Sequence, residues 1–296
     1  MHIPVLQKEV LQYLNPKPNE NFIDATCGEA GHTLAILEKT SPNGKILGIE
    51  LDPELYQKLP RFHLGKRGIL VNDSYSNLKE IVERENFKKV SGILFDLGLS
   101  SWHLEESKRG FSFLRNEPLD MRYNFQNSLT AEKIINQWPE EKIGKILKEY
   151  GEEKFARRIA KEIIKARKVK PIKSTLQLVE VIRRAISPKY RFGRIHFATR
   201  TFQALRIAVN DELENLKKVL PQALEILEPG GRMVIISFQS LEDRIVKNFF
   251  RNYRGPTRAK LKILTKKPVG ASSEEIKINP RSRSAKLRAC QKYVQV

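Results

Sequence analysis

Three short stretches of this chain carry residue types suited to holding a nucleoside-bearing ligand. The first is Asp24-Ala25-Thr26-Cys27-Gly28-Glu29-Ala30-Gly31-His32. Small residues let backbone N–H groups approach a ligand closely, and a helix starting there adds positive potential. The stretch lacks the terminal Gly-Lys-Ser/Thr of a phosphate loop, which weighs against ATP hydrolysis. It also lacks the full G-x-G-x-x-G register of dinucleotide binders. A tight structural turn is the lesser alternative. The second stretch closes on Glu50, an acid at the end of Gly44-Lys45-Ile46-Leu47-Gly48-Ile49-Glu50. A carboxylate in that place can accept both hydroxyls of a ribose. Asp52 and Glu54 follow, so an ordinary exposed acid is the plain alternative. Turn and acid together indicate an adenosine-type cofactor without choosing among NAD, FAD and S-adenosylmethionine. The third is Leu227-Glu228-Pro229-Gly230-Gly231-Arg232-Met233-Val234, with Asp96 at the end of another apolar run.

The elements that must position these residues alternate. Asn21–Thr26, Gly44–Glu50, Ile69–Val71 and Val90–Asp96 read as strands, and an apolar helical stretch, Thr33–Leu37, follows the glycine turn. Strands separated by helical patterns predict a parallel sheet covered on both faces. From about Lys108 to Pro188 no strand pattern occurs. Phe155, Ile159 and Ile163 recur every four residues beside Ala156, Ala160 and Ile164, which is one helix face. Ser174-Thr175-Leu176-Gln177 has the form of a capping box opening a helix that Pro188 stops. Phe202, Leu205, Val209, Leu213 and Leu216 predict one long helix whose opposite side carries Arg200, Gln203, Arg206 and Asn210. Pro229-Gly230-Gly231 turns the chain into a fifth strand, Met233–Phe238. Ser240-Leu241-Glu242-Asp243 resembles a cap, and Ala259–Leu264 reads as an edge strand. The expected organisation is an α/β domain of residues 1–108 and 209–296, with an inserted all-helical domain of residues 109–208.

The chain has 296 residues, 40% hydrophobic and 30% charged, with 15 Pro and 16 Gly. That excludes collagen-like and wholly disordered classes. No apolar run approaches the roughly 18 residues needed to span a bilayer, so no membrane association is expected. The start shows no basic region leading into an apolar stretch. Cys27 and Cys290 therefore read as free thiols of a cytoplasmic protein. With 54 Lys+Arg against 34 Asp+Glu, the net charge is +20, which favours a polyanionic partner. The excess is uneven. Residues 1–108 carry 13 basic and 15 acidic groups, residues 109–208 carry 23 and 10, and residues 209–296 carry 18 and 9. The helical stretch and the tail are thus the expected nucleic-acid contacts. A Lys-rich solvated surface of the kind seen in heat-stable proteins is the bland alternative. His2, His63 and His196 show no metal-ligand spacing and there is no Cys cluster, so no metal is expected.

The helix, Pro-Gly-Gly turn and fifth strand resemble those of Rossmann-like, class I S-adenosylmethionine-dependent methyltransferases, in which a residue at the place of Asp96 faces the methyl acceptor. The resemblance is closer than fold class. The chain is similar nearly end to end to the MraW/RsmH family. The matching motifs include His2-Ile3-Pro4-Val5-Leu6, Phe95-Asp96-Leu97-Gly98-Leu99-Ser100-Ser101 and Arg109-Gly110-Phe111-Ser112-Phe113. They continue with Pro118-Leu119-Asp120-Met121-Arg122, Gly151-Glu152-Glu153-Lys154-Phe155-Ala156 and Ala198-Thr199-Arg200-Thr201-Phe202-Gln203-Ala204-Leu205-Arg206. Ile236-Ser237-Phe238-Gln239-Ser240-Leu241 and Asn279-Pro280-Arg281-Ser282-Arg283-Ser284-Ala285-Lys286 close the series.

That resemblance implies S-adenosylmethionine as cofactor and N4 of a cytidine in small-subunit (16S) ribosomal RNA as methyl acceptor. It implies a cofactor site at Ala30, Gly31, His32, Glu50, Tyr75, Asp96 and His103. Ala30 stands where the family usually has Gly, Glu50 where Asp is common, Tyr75 where Phe is common, and His103 where Gln often sits. Gln239 replaces a frequent His. The partner is the small ribosomal subunit, and the oligomeric state, a homodimer included, is left open.

Methyl transfer from a sulfonium is an in-line displacement, for which positioning can contribute roughly 7–11 kcal/mol. A cytosine N4 amine is a weak nucleophile, so an acceptor for one of its N–H bonds helps it pyramidalise. Asp96 is the catalytic candidate, a nearby carbonyl being the alternative acceptor and contact with the cofactor the alternative role for Asp96. The Asp/Asn-Pro-Pro-aromatic signature of many amino-methyltransferases is absent, and Asp96-Leu97-Gly98-Leu99 takes its place. Arg200, Gln203, Arg206, Arg281 and Arg283 are the candidate RNA contacts. Tyr190, Phe192 and Phe197 among Lys189, Arg191 and Arg194 suit base stacking, or else plug the insert onto its neighbour. Two other functions stay open: an RNA-binding assembly factor without catalysis, and an amino-methyltransferase acting on DNA. Saturable cofactor binding separates the first from an enzyme, and methylation of duplex DNA would favour the second.

Overall fold

Which segments are apolar on both faces decides where the strands lie. The computed structural model describes residues 3–59, 64–193, 195–253 and 259–294. His2, His63 and Arg194, named above, lie outside them. The chain divides into two compact units, Met1–Gly98 with Leu213–Val296, and Leu99–Glu212. These divisions fall outside the 109–208 expectation at both ends. A left-handed backbone turn lies at each: Gly98 has φ 102° and Asp211 φ 52°.

In the first unit seven strands form one sheet in the order β3-β2-β1-β4-β5-β7-β6. They are β1 (Asn21–Asp24), β2 (Ile46–Glu50), β3 (Gly68–Asn72), β4 (Val90–Asp96), β5 (Leu227–Ser237), β6 (Ala259–Ile263) and β7 (Lys286–Val294). β1 to β5 run parallel, and β7 is antiparallel to both β5 and β6. Alternation along each strand splits the core. Ile23, Leu47, Phe95, Met233 and Ile235 pack on one side with Leu220 and Phe250 from helices. Their neighbours Phe22, Ile46, Leu94, Val234 and Ile236 pack on the other with Val10, Leu14 and Ile36. Two covered faces explain why the strands read as continuous apolar runs.

Three expected boundaries move for identifiable reasons. The Pro229-Gly230-Gly231 turn is an outsized bulge inside the span of β5. Leu227 pairs with Val90 and Arg232 already pairs with Gly92, so the residues between loop out opposite Ser91. The long helix predicted from Phe202 to Leu216 is two helices, Thr199–Asn210 and Glu212–Ile226, broken at Asp211. The cap expected at Ser240 sits one residue earlier, where Gln239 and Glu242 form a reciprocal capping box on the helix Ser240–Asn252.

The second unit is helical among its described residues, apart from an isolated bridge of Pro118 with Ser174. The helix Ala156–Val169 buries Ala156, Ile159, Ala160 and Ile163, the expected face. Ser174 and Gln177 form the expected capping box on the helix Thr175–Ala185. That helix ends before Pro188, which opens a short turn of its own, Pro188–Tyr190. Ile134, Ile143, Leu147, Ile182 and Leu205 complete a separate core.

Candidate active site

The carboxyl ends of adjacent parallel strands bring the candidate residues of the first unit together. The chain leaves β1 for β2 on one side and returns to place β4 on the other, so the sheet's switch point lies between β1 and β4, where ligands of such sheets bind. β1 ends at Asp24. The turn that follows reaches the helix Gly31–Lys39 through two left-handed residues, Gly28 with φ 54° and Ala30 with φ 65°. Ala30 is fully buried. A Cβ in that region costs roughly 1–2 kcal/mol, so alanine in place of the family's glycine is a strained choice here.

A polar network that the sequence reading did not assign holds this turn. Asp24, 1% exposed, accepts the Thr33 hydroxyl at 2.7 Å and the Thr26 N–H at 3.2 Å. Burial raises the Asp24 carboxyl above its ordinary value, against the Thr33 bond that lowers it. The Thr26 hydroxyl accepts the Asp96 N–H at 2.6 Å, tying the ends of β1 and β4. The signal in the sequence was Asp24 itself, a carboxylate closing an otherwise apolar strand.

Glu50 is buried at the end of β2. Its Oε2 accepts the Gly28 N–H at 2.9 Å and its Oε1 the Asp52 N–H at 2.8 Å. The acid therefore shapes the glycine turn as well as facing the site, and further lone pairs on both oxygens remain for ribose hydroxyls. Burial pushes its carboxyl up to about 8, the Asp52 N–H bond opposing. Tyr75 follows β3 and meets Phe95 edge-on, with ring centroids 6.0 Å apart.

His32 and Asp96 complete this edge. His32 Nε2 stands 3.6 Å from Asp96 Oδ2, with side chains 7% and 21% exposed. Among the described residues neither ring nitrogen of His32 finds a partner within hydrogen-bond distance, nor does the buried Asp96 Oδ1. Burial disfavours the imidazolium, but Asp96, then Asp24 and the Val5 backbone, outweigh it and raise the imidazole above its ordinary value. Buried polar atoms left unpaired cost about 1–3 kcal/mol each. Such atoms clustered beside a glycine turn and a strand-end acid fit a polar, nucleoside-bearing ligand.

The remaining candidates lie elsewhere. His103 belongs to the second unit, where its Nδ1 lies 2.7 Å from the Ser100 hydroxyl in a capping box. Its ring meets those of Trp102, Phe111 and Tyr123 at 5.3, 5.2 and 4.9 Å. The polar face of Arg200, Gln203 and Arg206 exists, but it is bonded within its own unit. Arg206 grips Glu212 through two bonds of 2.7 and 2.9 Å, Gln203 donates to the Tyr150 carbonyl and Arg200 to the Glu152 carbonyl. Tyr190 leans on Phe155 at 4.9 Å and half-buried Phe197 stacks on His196 at 4.2 Å, whereas Phe192 is 90% exposed. Arg281 and Arg283 are exposed on the turn Pro280–Ser284, in the first unit. Among the described residues no group of three metal-ligating side chains occurs, and no helix is long and apolar enough to cross a membrane. Cys27 and Cys290 are both free and buried.

A parallel sheet of this order with a reversed penultimate strand, a glycine turn after β1 and an acid closing β2 define a Rossmann-like, S-adenosylmethionine-dependent methyltransferase. The chain belongs to the MraW methylase family, whose model matches residues 1–293. It is 48% identical over 309 residues to the ribosomal RNA small subunit methyltransferase H of Heliobacterium mobile, with 98% of each chain covered. The protein of the same name from Kosmotoga olearia is 48% identical over 298 residues, covering 98% of this chain and 97% of that one. Among solved structures, a Streptococcus mutans protein in complex with SAH aligns with TM-score 0.46 and 13% identity, over 98% of this chain and 99% of that one.

Proposed function

We propose that this protein transfers a methyl group from S-adenosylmethionine to the exocyclic N4 of a cytidine in small-subunit (16S) ribosomal RNA, in the cytoplasm. Full-length similarity to relatives named ribosomal RNA small subunit methyltransferase H supports the RNA. The observation that carries the site is the His32–Asp96 pair, with unpaired buried atoms on both residues, at the β1/β4 switch point.

Ala30, Gly31, Glu50 and Tyr75 would hold the cofactor. When bound, S-adenosylmethionine supplies a methyl group made electrophilic by its sulfonium. Asp96 accepts one N–H bond of the cytosine amine, which frees its lone pair for attack. His32, 3.6 Å away, orients that carboxylate. No strong base is needed, because the proton leaves an amine that has already become cationic. The target base must be unpaired or flipped out of a helix to be reached. The helical unit, with its basic excess, supplies phosphate contacts, and Arg281 and Arg283 add to them. His103 is proposed as a further cofactor residue.

The test incubates the protein with labelled S-adenosylmethionine and undermethylated small subunits, then identifies the modified nucleoside by mass spectrometry. N4-methylcytidine is the expected product. Label on another base or atom would overturn the N4 assignment, and label in duplex DNA but not RNA would overturn the substrate.

A further inference from the structure

Residues 3–7 and 272–279 meet beside the glycine turn. Residues 3–7 run along it as a strap. A Cβ added at Gly31 would stand 2.4 Å from Pro4 Cγ, so only glycine lets the strap this close. Gln7 Nε2 donates to the Gly31 carbonyl at 3.5 Å. The strap is held in an uncommon shape. Leu6, fully buried, has φ 55° and ψ 34°, the left-handed region that a bulky side chain disfavours. Such a conformation persists only where surroundings over-determine it.

What fixes it lies far along the sequence. The Leu6 N–H donates to Glu275 Oε1 at 2.7 Å, and the Asn279 side chain donates to the Ile3 carbonyl at 3.0 Å. Glu275 sits in the first turn of the helix Ser273–Ile278, capped by Ser272. The Asn279 N–H returns to the Glu275 carbonyl at 2.6 Å, so the two anchors form one unit. Asn279 begins the motif that was assigned to RNA through Arg281 and Arg283.

We propose that Glu275 and Asn279 are positioning residues for cofactor binding, locking the strap of residues 3–6 against Gly31 and His32. This rests on the reading that the glycine turn holds S-adenosylmethionine. The basic segment 275–283 then has a duty on the cofactor side in addition to any contact with RNA. Losing either anchor lets the strap relax and loosens the turn without touching the groups that meet the reacting atoms.

The test compares wild type, Glu275→Ala, Glu275→Gln and Asn279→Ala. Calorimetry reads affinity for S-adenosylhomocysteine, steady-state kinetics separate KM from kcat, and amide exchange follows residues 28–33. Glu275→Ala is expected to weaken binding about tenfold and raise the cofactor KM to match, with kcat within about twofold of wild type. Exchange should accelerate at residues 28–33 and not in β4 or β5. Glu275→Gln retains an acceptor for the Leu6 N–H and should restore affinity. Should Glu275→Ala fail to fold, Asn279→Ala, which leaves Leu6 bonded, carries the test with a loss of about threefold. Unchanged affinity and exchange in a folded variant would overturn the proposal, as would loss of kcat alone. Wild type that binds no S-adenosylhomocysteine would instead overturn the cofactor reading, while the exchange measurement still decides whether the anchors hold the turn.

Discussion

His32 Nε2 lies 3.6 Å from Asp96 Oδ2 across the switch point of the sheet, joining the start of the first crossover helix to the end of β4. Burial opposes charge on the imidazole, and Asp96 together with Asp24 and the Val5 backbone outweighs it, so the native value lies above the ordinary 6.5. A group raised in the native state adds stability that is fully present below its unfolded value and lost as pH rises through the native one. An NMR titration of His32 should show a midpoint above 6.5. In Asp96→Asn, burial acts with less opposition and the midpoint should fall. A midpoint that ignores Asp96 would dissolve the pair.

Glu50 gives a second pH dependence. Its carboxyl moves from an ordinary 4.5 to about 8 through burial. The same sign applies: stability of the ligand-free protein is full below 4.5 and declines as pH climbs through about 8, by up to about 1.4 kcal/mol per unit. Denaturant melts at pH 5 and pH 8 should show a larger loss in wild type than in Glu50→Gln. Ribose hydroxyls favour the ionised acceptor, so affinity for S-adenosylhomocysteine should rise over the same interval. Parallel pH profiles for wild type and variant would contradict this.

Asp96 separates binding from chemistry. Asp96→Ala should lower turnover about a hundredfold, the loss typical of one placed acceptor or donor, while cofactor affinity changes far less. Single-turnover rates with saturating cofactor are the measurement. Near-normal rates would remove Asp96 from the mechanism.

The arginines divide by partner. Arg281 and Arg283 are exposed, and replacing either with alanine should reduce the salt dependence of RNA binding by about one in log–log slope. Arg206 is 15% exposed and its partner Glu212 10%, in a two-bond grip. Arg206→Ala should cost about 2 kcal/mol of stability by stranding that carboxylate. A normal melt with weakened RNA binding would reverse the two roles.

The five parallel strands were legible because burial on both faces leaves runs such as Ile46–Glu50 with little polar interruption, whereas β7, Lys286–Val294, whose Lys, Arg and Gln break up any apolar run, was not read as a strand. The edge strand β6 and the capping box at Ser174 followed from local chemistry as well. Asp211 was not legible: Val209, Leu213 and Leu216 keep helical spacing straight through the break, with no Gly or Pro to mark it. Pro229-Gly230-Gly231 announced a turn, but only pairing with β4 reveals a bulge within one strand. At the site, Glu50 was found from its position, whereas its grip on the Gly28 N–H required the folded turn. The His32–Asp96 approach depends on strand order. Leu6 and Glu275 stand 269 positions apart, beyond the reach of any local pattern.

The most direct measurement is a crystal soaked with S-adenosylmethionine. Density for the ligand should appear at the carboxyl ends of β1, β2 and β4, its ribose on Glu50 and its sulfonium on the Asp96 side of Gly31. Density elsewhere, or none at saturating ligand, would contradict the account.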